Sequence, residues 1–268
     1  MKIAFSNIAW DAEEEPAVLE LLTSFGIGGI ELAPTKCWQN WIGITPESID
    51  AVRARYGAPG FAIPSLQAIL YGRPELQLFG SEETVKALCA HMERVAQLAG
   101  RLGARVLVFG APSNRDPGAL APEEAIELAV PRLRSLGDVC ARYGVCLGIE
   151  ANPKVYQCRF VTRWFEATEL VRKCDSAGVR LHLDSACTAM EGDDLDRAVA
   201  ETTDILQHVH ISEPNLGQFG TPTIDHARFA AALKRVGYTG WCSVEMRRAA
   251  EVLPAVRRAA EMAMTIYG

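Results

Sequence analysis

Three carboxylates and one imidazole each stand at the end of an apolar run in the second half of the chain. They are Glu150 after Val145-Cys-Leu-Gly-Ile, Asp184 after Val179-Arg-Leu-His-Leu, His210 after Leu206-Gln-His-Val, and Glu245 after Trp241-Cys-Ser-Val. Their separations of 34, 26 and 35 residues are close to the length of one strand–helix–strand unit. If the runs are neighbouring parallel strands, all four side chains meet at one end of one sheet. Such a set would bind a divalent metal, and two of its carboxylates could double as acid and base.

The elements that must position them repeat along the whole chain. Strand-like runs begin near Lys2, Gly29, Phe61, Ala104, Val145, Val179, Leu206 and Gly240. Helices lie between most of them, read from apolar residues at helical spacing such as Val85, Leu88, Met92, Val95, Ala99 and Leu102. Ser81, Thr45 and Asp225 carry helix-start signals. Gly26, Gly103, Gly144, Gly178 and Gly237 each end a helix just before a strand, as a left-handed cap requires. Eight such units predict an α/β fold, one (β/α)₈ TIM barrel over residues 1–268, with its site at the C-terminal ends of the strands. Alternation along the strands places His182 on the face of Asp184 and His208 on that of His210, while Leu181, Leu183, Val209, Ile211 and Val244 turn toward the helices.

Polar residues at or just past the strand ends fill out the expected mouth. Asn7, Gln67, Asn152, His182, Glu213 and Arg247 are candidate substrate contacts, with Glu31 and Arg115 at equivalent places. His208 lies one pleat deeper, where a hydrogen bond would orient the site. Trp10, Trp38 and Trp41 could stack on the apolar face of a small ligand, and His91, in mid-helix, reads as a surface residue.

Composition excludes several classes of function. A net charge of −6 with no long Lys/Arg run leaves no electrostatic footprint for nucleic acid. No apolar run approaches the ~18 residues of a membrane span. The N-terminal segment reads as a strand and not as a signal sequence. Eight scattered cysteines without a C-x-x-C pair point to a reduced, cytoplasmic protein.

With these residues in view, the chain resembles the xylose-isomerase-like TIM barrels, the superfamily of sugar phosphate isomerases and epimerases that also holds ketose 3-epimerases, hydroxypyruvate isomerase, inosose dehydratase and the AP endonucleases. Ser6-Asn-Ile-Ala-Trp10, Gly29-Ile-Glu-Leu-Ala-Pro34, Ile149-Glu-Ala-Asn-Pro153, Leu181-His-Leu-Asp184 and His208-Val-His-Ile-Ser-Glu-Pro214 carry the likeness, which spans essentially the whole chain. The resemblance implies that Glu150, Asp184, His210 and Glu245 hold one divalent ion, Mn²⁺ or Mg²⁺ first and Zn²⁺ or Co²⁺ also compatible. It implies that Glu150 and Glu245 move a proton between the two faces of an enediolate, making the chain a sugar isomerase or epimerase that works on a small carbohydrate as a homodimer or homotetramer. A dehydratase or other lyase using the same site is the alternative reading, ahead of an AP-endonuclease-type hydrolase or a non-catalytic sugar binder. Two positions depart from the 3-epimerase pattern: Cys187 stands where a substrate-binding His is expected, and Leu216 where an Arg is expected, although Glu213 is kept.

Overall fold

The computed structural model describes residues 1–268. Eight parallel strands form one sheet: β1 (Lys2–Ser6), β2 (Gly29–Glu31), β3 (Ser65–Leu66), β4 (Val106–Phe109), β5 (Cys146–Glu150), β6 (Val179–Asp184), β7 (Leu206–Ser212) and β8 (Trp241–Glu245). The hydrogen-bonded order is β2-β1-β8-β7-β6-β5-β4-β3. Short parallel bridges, Gly29 to Ala62 and Leu32 to Leu66, bring the two outer strands together and close the barrel. The helices around it are α1 (Glu15–Ser24), α2 (Pro34–Cys37), α3 (Pro46–Gly57), α4 (Glu82–Leu102), α5 (Pro122–Ala141), α6 (Trp164–Cys174), α7 (Ser185–Met190), α8 (Leu195–Ala200), α9 (His226–Arg235) and α10 (Val252–Ile266). None is long and apolar enough to cross a membrane.

One apolar layer holds this arrangement. Outward residues such as Phe5, Ile30, Leu107, Ile149, Leu181, Val209 and Val244 join the buried stripes of the helices in a cluster of 72 residues between sheet and helix ring. The apolar fill inside the barrel is slight, a separate trio of Val106, Val108 and Cys146. The remaining inward positions are largely polar, which leaves the strand tops free to carry chemistry.

The helix starts follow the sequence signals: Ser81, Thr45 and Asp225 each accept a hydrogen bond from the backbone N–H three residues on. Two local expectations fail for identifiable reasons. The third strand shrinks to two residues because Pro64 offers no N–H to a ladder. Gly26, Gly103, Gly144 and Gly237 take the left-handed conformation, but Gly178 does not, and Asp175 ends α6 with φ of 44° instead. Gly178 is needed for a close crossing: a Cβ there would stand 2.0 Å from the carbonyl oxygen of Gly137 on α5.

Register sets the height of each functional side chain. Glu150 aligns with His182, Asp184 with His210, and Ser212 with Glu245. Between β6 and β7 the pairing shifts, with Leu181 opposite Leu206 but His182 opposite His208. The extra residue, Gln207, advances β7 by one position and brings His210 level with Asp184. The α5–β6 crossing gives a stability prediction. Alanine in place of a helical glycine usually gains about 1 kcal/mol. Gly137→Ala should instead destabilise by about 1–3 kcal/mol, because its Cβ would fall 2.5 Å from Val179. Urea denaturation checks the sign.

Candidate metal centre and its cavity

His210 is the hub of the strand tops. Its Nε2 lies 2.8 Å from Glu31 Oε1, while the other oxygen of Glu31 lies 2.9 Å from His208 Nε2 and accepts from Ser65 Oγ at 2.6 Å. With Nε2–H donating its hydrogen bond to Glu31, Nδ1 faces the opposite way as the candidate ligand atom. There Nδ1 has no hydrogen-bond donor or acceptor partner, yet it is buried 3.2 Å from Glu245 Oε2, 3.5 Å from Glu150 Oε1 and 3.7 Å from Asp184 Oδ2. The structure therefore brings Glu150, Asp184, His210 and Glu245 together, and the ligand atoms of the first three lie within 4.8 Å of one another.

Each carboxylate is held from behind. Asp184 accepts from Ser212 Oγ at 2.7 Å and caps α7 through the Cys187 N–H at 2.6 Å. Glu150 Oε2 accepts from Asn152 Nδ2 at 2.9 Å, and Asn152 Oδ1 in turn accepts from the buried Arg115 at 2.7 Å. Gly110 leaves room for this carboxylate, since a Cβ there would stand 1.7 Å from Glu150 Oε2. Glu245 is the freest of the set, with His210 as the one ion-pair partner of its carboxylate.

The electrostatics call for a cation. No Lys or Arg forms an ion pair with Glu31, Glu150, Asp184 or Glu245; the only basic side chains within reach of them are histidines. Burial, reinforced by the charge of Glu150, pushes Asp184 up to about 7, and burial also raises Glu245. Glu150 and Glu31 stay below the usual carboxylate range against burial, because imidazole groups lie beside them. His210 is raised well above its ordinary value, since the surrounding carboxylates outweigh the burial that would lower it. His182, packed edge-on at 4.1 Å from His210, is driven by burial and by that neighbour down to about 4 and is neutral. Carboxylates this close repel one another unless protons or a metal intervene. Three hard oxygens and one imidazole nitrogen form a donor set suited to a divalent ion.

A cavity of about 350 Å³ opens above the cluster, with Glu150, His210 and Glu245 on its floor. Its walls are the segments after β3 (Gln67–Pro74) and after β4 (Gly110–Asn114). Ala68 in that wall takes φ of +52°, a strained conformation for a residue with a Cβ. The size suits a small ligand.

Several residues named from the sequence sit elsewhere. Gln67 lines the cavity and bonds to Ser6 Oγ. Asn7 spends its carbonyl on the Ala33 N–H at 2.8 Å. Arg247 is exposed on the rim, where its backbone bonds to Leu216 and Gln218. His182 lies beneath the floor, 3.3 Å from Glu150, and does not line the cavity. Glu213 is also no cavity residue: its oxygens are taken by Thr223, Ile224 and His226, tying down the loop after β7. Glu31 and Arg115 are interior braces, not mouth residues. Trp10 and Trp38 are buried and bond to Glu15 and Ser48, while Trp41 bonds to the Tyr71 carbonyl. His91 is buried against the Ile69 carbonyl at 2.8 Å and not on the surface. Neither Ser212 nor Gly110 has a role assigned from the sequence. For Ser212 a signal exists, because it stands two residues beyond His210 on the same face; for Gly110 the one signal is its place at the end of the strand run Leu107-Val-Phe-Gly110, which says nothing of the carboxylate beside it.

The room left by Gly110 can be tested directly. Gly110→Ala should fold as the wild type yet bind titrated Mn²⁺ at least about tenfold more weakly, as displaced coordination partners typically do. Calorimetry gives the affinity, and circular dichroism the fold.

Comparison with known proteins agrees with this architecture. A sequence model of the family described as "Xylose isomerase-like TIM barrel" matches residues 19–265. The chain is 23% identical over 232 residues to L-ribulose 3-epimerase of Methylomonas sp. (strain DH-1), covering 86% of this chain and 78% of that protein. Among solved structures, D-psicose 3-epimerase from Clostridium cellulolyticum H10, crystallised with D-tagatose, superposes with a TM-score of 0.84 at 16% identity over 100% of this chain and 99% of that one. The apo 3-keto-D-glucoside 4-epimerase of E. coli superposes with a TM-score of 0.79 at 21% identity over 99% of both chains. The chain belongs to the xylose isomerase-like TIM barrel family.

Proposed function

We propose that the protein is a divalent-metal-dependent epimerase or isomerase of a sugar or related polyhydroxy-carbonyl compound. The observation that carries this is the position of Glu150 and Glu245: both line the cavity floor, and both border the space in front of His210 Nδ1. Asp184, by contrast, lies outside the lining and is held by Ser212 and the α7 backbone. Two carboxylates are thus presented to a ligand, and the third is left as an anchor. The named relatives act on ketoses and keto-glycosides, in which a C–H to be exchanged lies next to a carbonyl.

A divalent ion bound by Glu150, Asp184, His210 and Glu245 would polarise that carbonyl and acidify the neighbouring C–H. The protein's part is to hold the carbon between two carboxylates. One glutamate takes the proton to leave an enediolate, and the other returns a proton to the opposite face, which inverts the centre. Burial raises Glu245 from the ordinary carboxylate range, in the direction needed by a group that must both accept and release a proton near neutral pH. Asn152 fixes one oxygen of Glu150, so that Oε1 is the atom directed at the cation space. His182 and His208 stay out of proton transfer, one beneath the floor and the other bonded to Glu31.

The direct test is incubation of the protein and Mn²⁺ in D₂O with a panel of ketoses and 3-keto glycosides, followed by NMR. Deuterium at the carbon next to the carbonyl of recovered substrate and of its epimer is expected. Loss of water or of an aglycone would replace the reading with a lyase. Glu150→Gln and Glu245→Gln should each lower turnover by about 10²–10⁴-fold while retaining some metal. Near-normal turnover in both metal-loaded variants would overturn the proton-transfer mechanism.

The raised Asp184 and His210 add a pH prediction. Both hold protons near pH 6 that a cation must displace, so affinity should rise as pH rises, with about one proton or more released per ion at pH 6. Calorimetry in two buffers of different ionisation enthalpy measures that release, and a value of zero would contradict the ligand assignment.

A further inference from the structure

Arg115 stands apart among the arginines of the chain. It is 1% exposed, forms no ion pair, and leaves its Nε without a partner. Its two terminal nitrogens give hydrogen bonds to the Phe109 carbonyl at 3.0 Å and to Asn152 Oδ1 at 2.7 Å, the second nitrogen also reaching Cys158 Sγ at 3.7 Å. A buried guanidinium without a carboxylate is costly, and packing alone would be better served by an apolar side chain of similar length. What the charge does achieve is to fix an amide. Arg can only donate, so the oxygen of Asn152 must face it. The NH₂ group of Asn152 must then face Glu150 Oε2, 2.9 Å away. With Arg115 absent, the oxygen of the amide has lost its donor and the NH₂ group is free to swing away from the carboxylate.

We infer that Arg115 is a positioning residue of the metal centre, acting only through Asn152 to keep a hydrogen-bond donor against Glu150 and so to hold that carboxylate toward the cation. This rests on the reading of Glu150 as a ligand. The surroundings fit the role. Gly110 leaves no Cβ to displace the carboxylate, and the loop after β5 reaches back to pin Asn152, whose N–H bonds to the carbonyl of Val161. Val161 itself takes φ of +61°, an outlier for a β-branched residue. The two loops are also clasped near their exposed ends, where Arg159 pairs with Asp116 at 3.1 Å.

The test is a double-mutant cycle on the full-length protein, with Mn²⁺ affinity read by calorimetry. Arg115→Met and Asn152→Ala should each weaken binding by about 10–100-fold, the usual cost of removing a group that orients a metal ligand. The double variant should bind no more weakly than Asn152→Ala alone, and Arg115→Lys, which keeps a charged donor, should recover most of the loss. Additive losses, or wild-type affinity in folded Arg115→Met, would overturn the inference. A wild type that binds no Mn²⁺ would instead defeat the metal reading on which it rests. If Arg115→Met fails to fold, Asn152→Asp carries the test, since it keeps Arg115 paired but turns an acceptor toward Glu150. Its Co²⁺ absorption spectrum should differ from that of the wild type and its kcat should fall at least about tenfold, within the range for such groups. An unchanged spectrum and kcat would refute the role.

Discussion

The bond between His210 and Glu31 is the contact on which the rest of the centre depends. An imidazole has two inequivalent nitrogens, and what the first one does decides what the second can do. By accepting the Nε2–H hydrogen bond at 2.8 Å, Glu31 leaves Nδ1 facing three carboxylates. Glu31 can do this because it is itself held, by His208 and Ser65, at a point where water does not reach. The brace comes from β2 and the hub from β7, on different sides of the barrel. Closure of the sheet is therefore a condition for the chemistry as well as for stability. Were the barrel open between β2 and β3, Ser65 would not meet Glu31, and the carboxylate would lose one of the donors that hold its charge.

The second constraint is register. In a parallel barrel each strand is offset from its neighbour, and residues that share a level are fixed by hydrogen bonds and not by their distance along the chain. Glu150 is level with His182, Asp184 with His210 and Glu245 with Ser212, so the four candidate ligands occupy three successive levels. The extra residue at Gln207 makes the difference between two strands whose functional ends coincide and two that miss by a position. A one-residue slip would turn His210 out toward the helices, where Val209 and Ile211 now pack.

How much of this was legible in the sequence follows from the same physics. Strand-end polarity and the strand–helix repeat reported the barrel and the meeting of Glu150, Asp184, His210 and Glu245, because these depend on local pattern. Glu31 was seen at a strand end but assigned to the mouth. Its burial depends on β2 being three residues long and facing His208 across the lumen, which no local pattern records. Glu213 and His91 were misplaced for a related reason. Each satisfies its polar atoms on a loop that folds back, at Thr223–His226 and at Ile69 respectively, and loop paths leave no periodic signal. Gly178 was assigned the right residue type for the wrong need: chain crossing and not helix capping.

The barrel divides its tasks by half. The candidate metal ligands all come from β5 to β8, whereas the cavity walls come from the segments after β3 and β4. Ligand geometry must be held within tenths of an ångström, so it is built on continuous strands with full ladders and hydrogen-bonded backs. Irregular backbone is tolerated there: the walls follow the two-residue strand β3 and contain the strained Ala68 and, from the 3₁₀ turn after β4, Ser113 and Asn114. The two positions that depart from the 3-epimerase pattern fit this division. Cys187 is buried in the first turn of α7 with its N–H on Asp184, and Leu216 lies in a 3₁₀ turn after β7, so neither brings a charged or strongly polar group to the mouth. Contacts that those places would otherwise provide would then fall to the opposite half. Gln67, Arg73 and Asn114 stand in the wall on that side. The features that set which sugar is accepted would thus lie on a different half of the barrel from the features that set what is done to it. Exchange of the segments after β3 and β4 could alter the first while leaving the hydrogen bonds behind His210 and Asp184 intact.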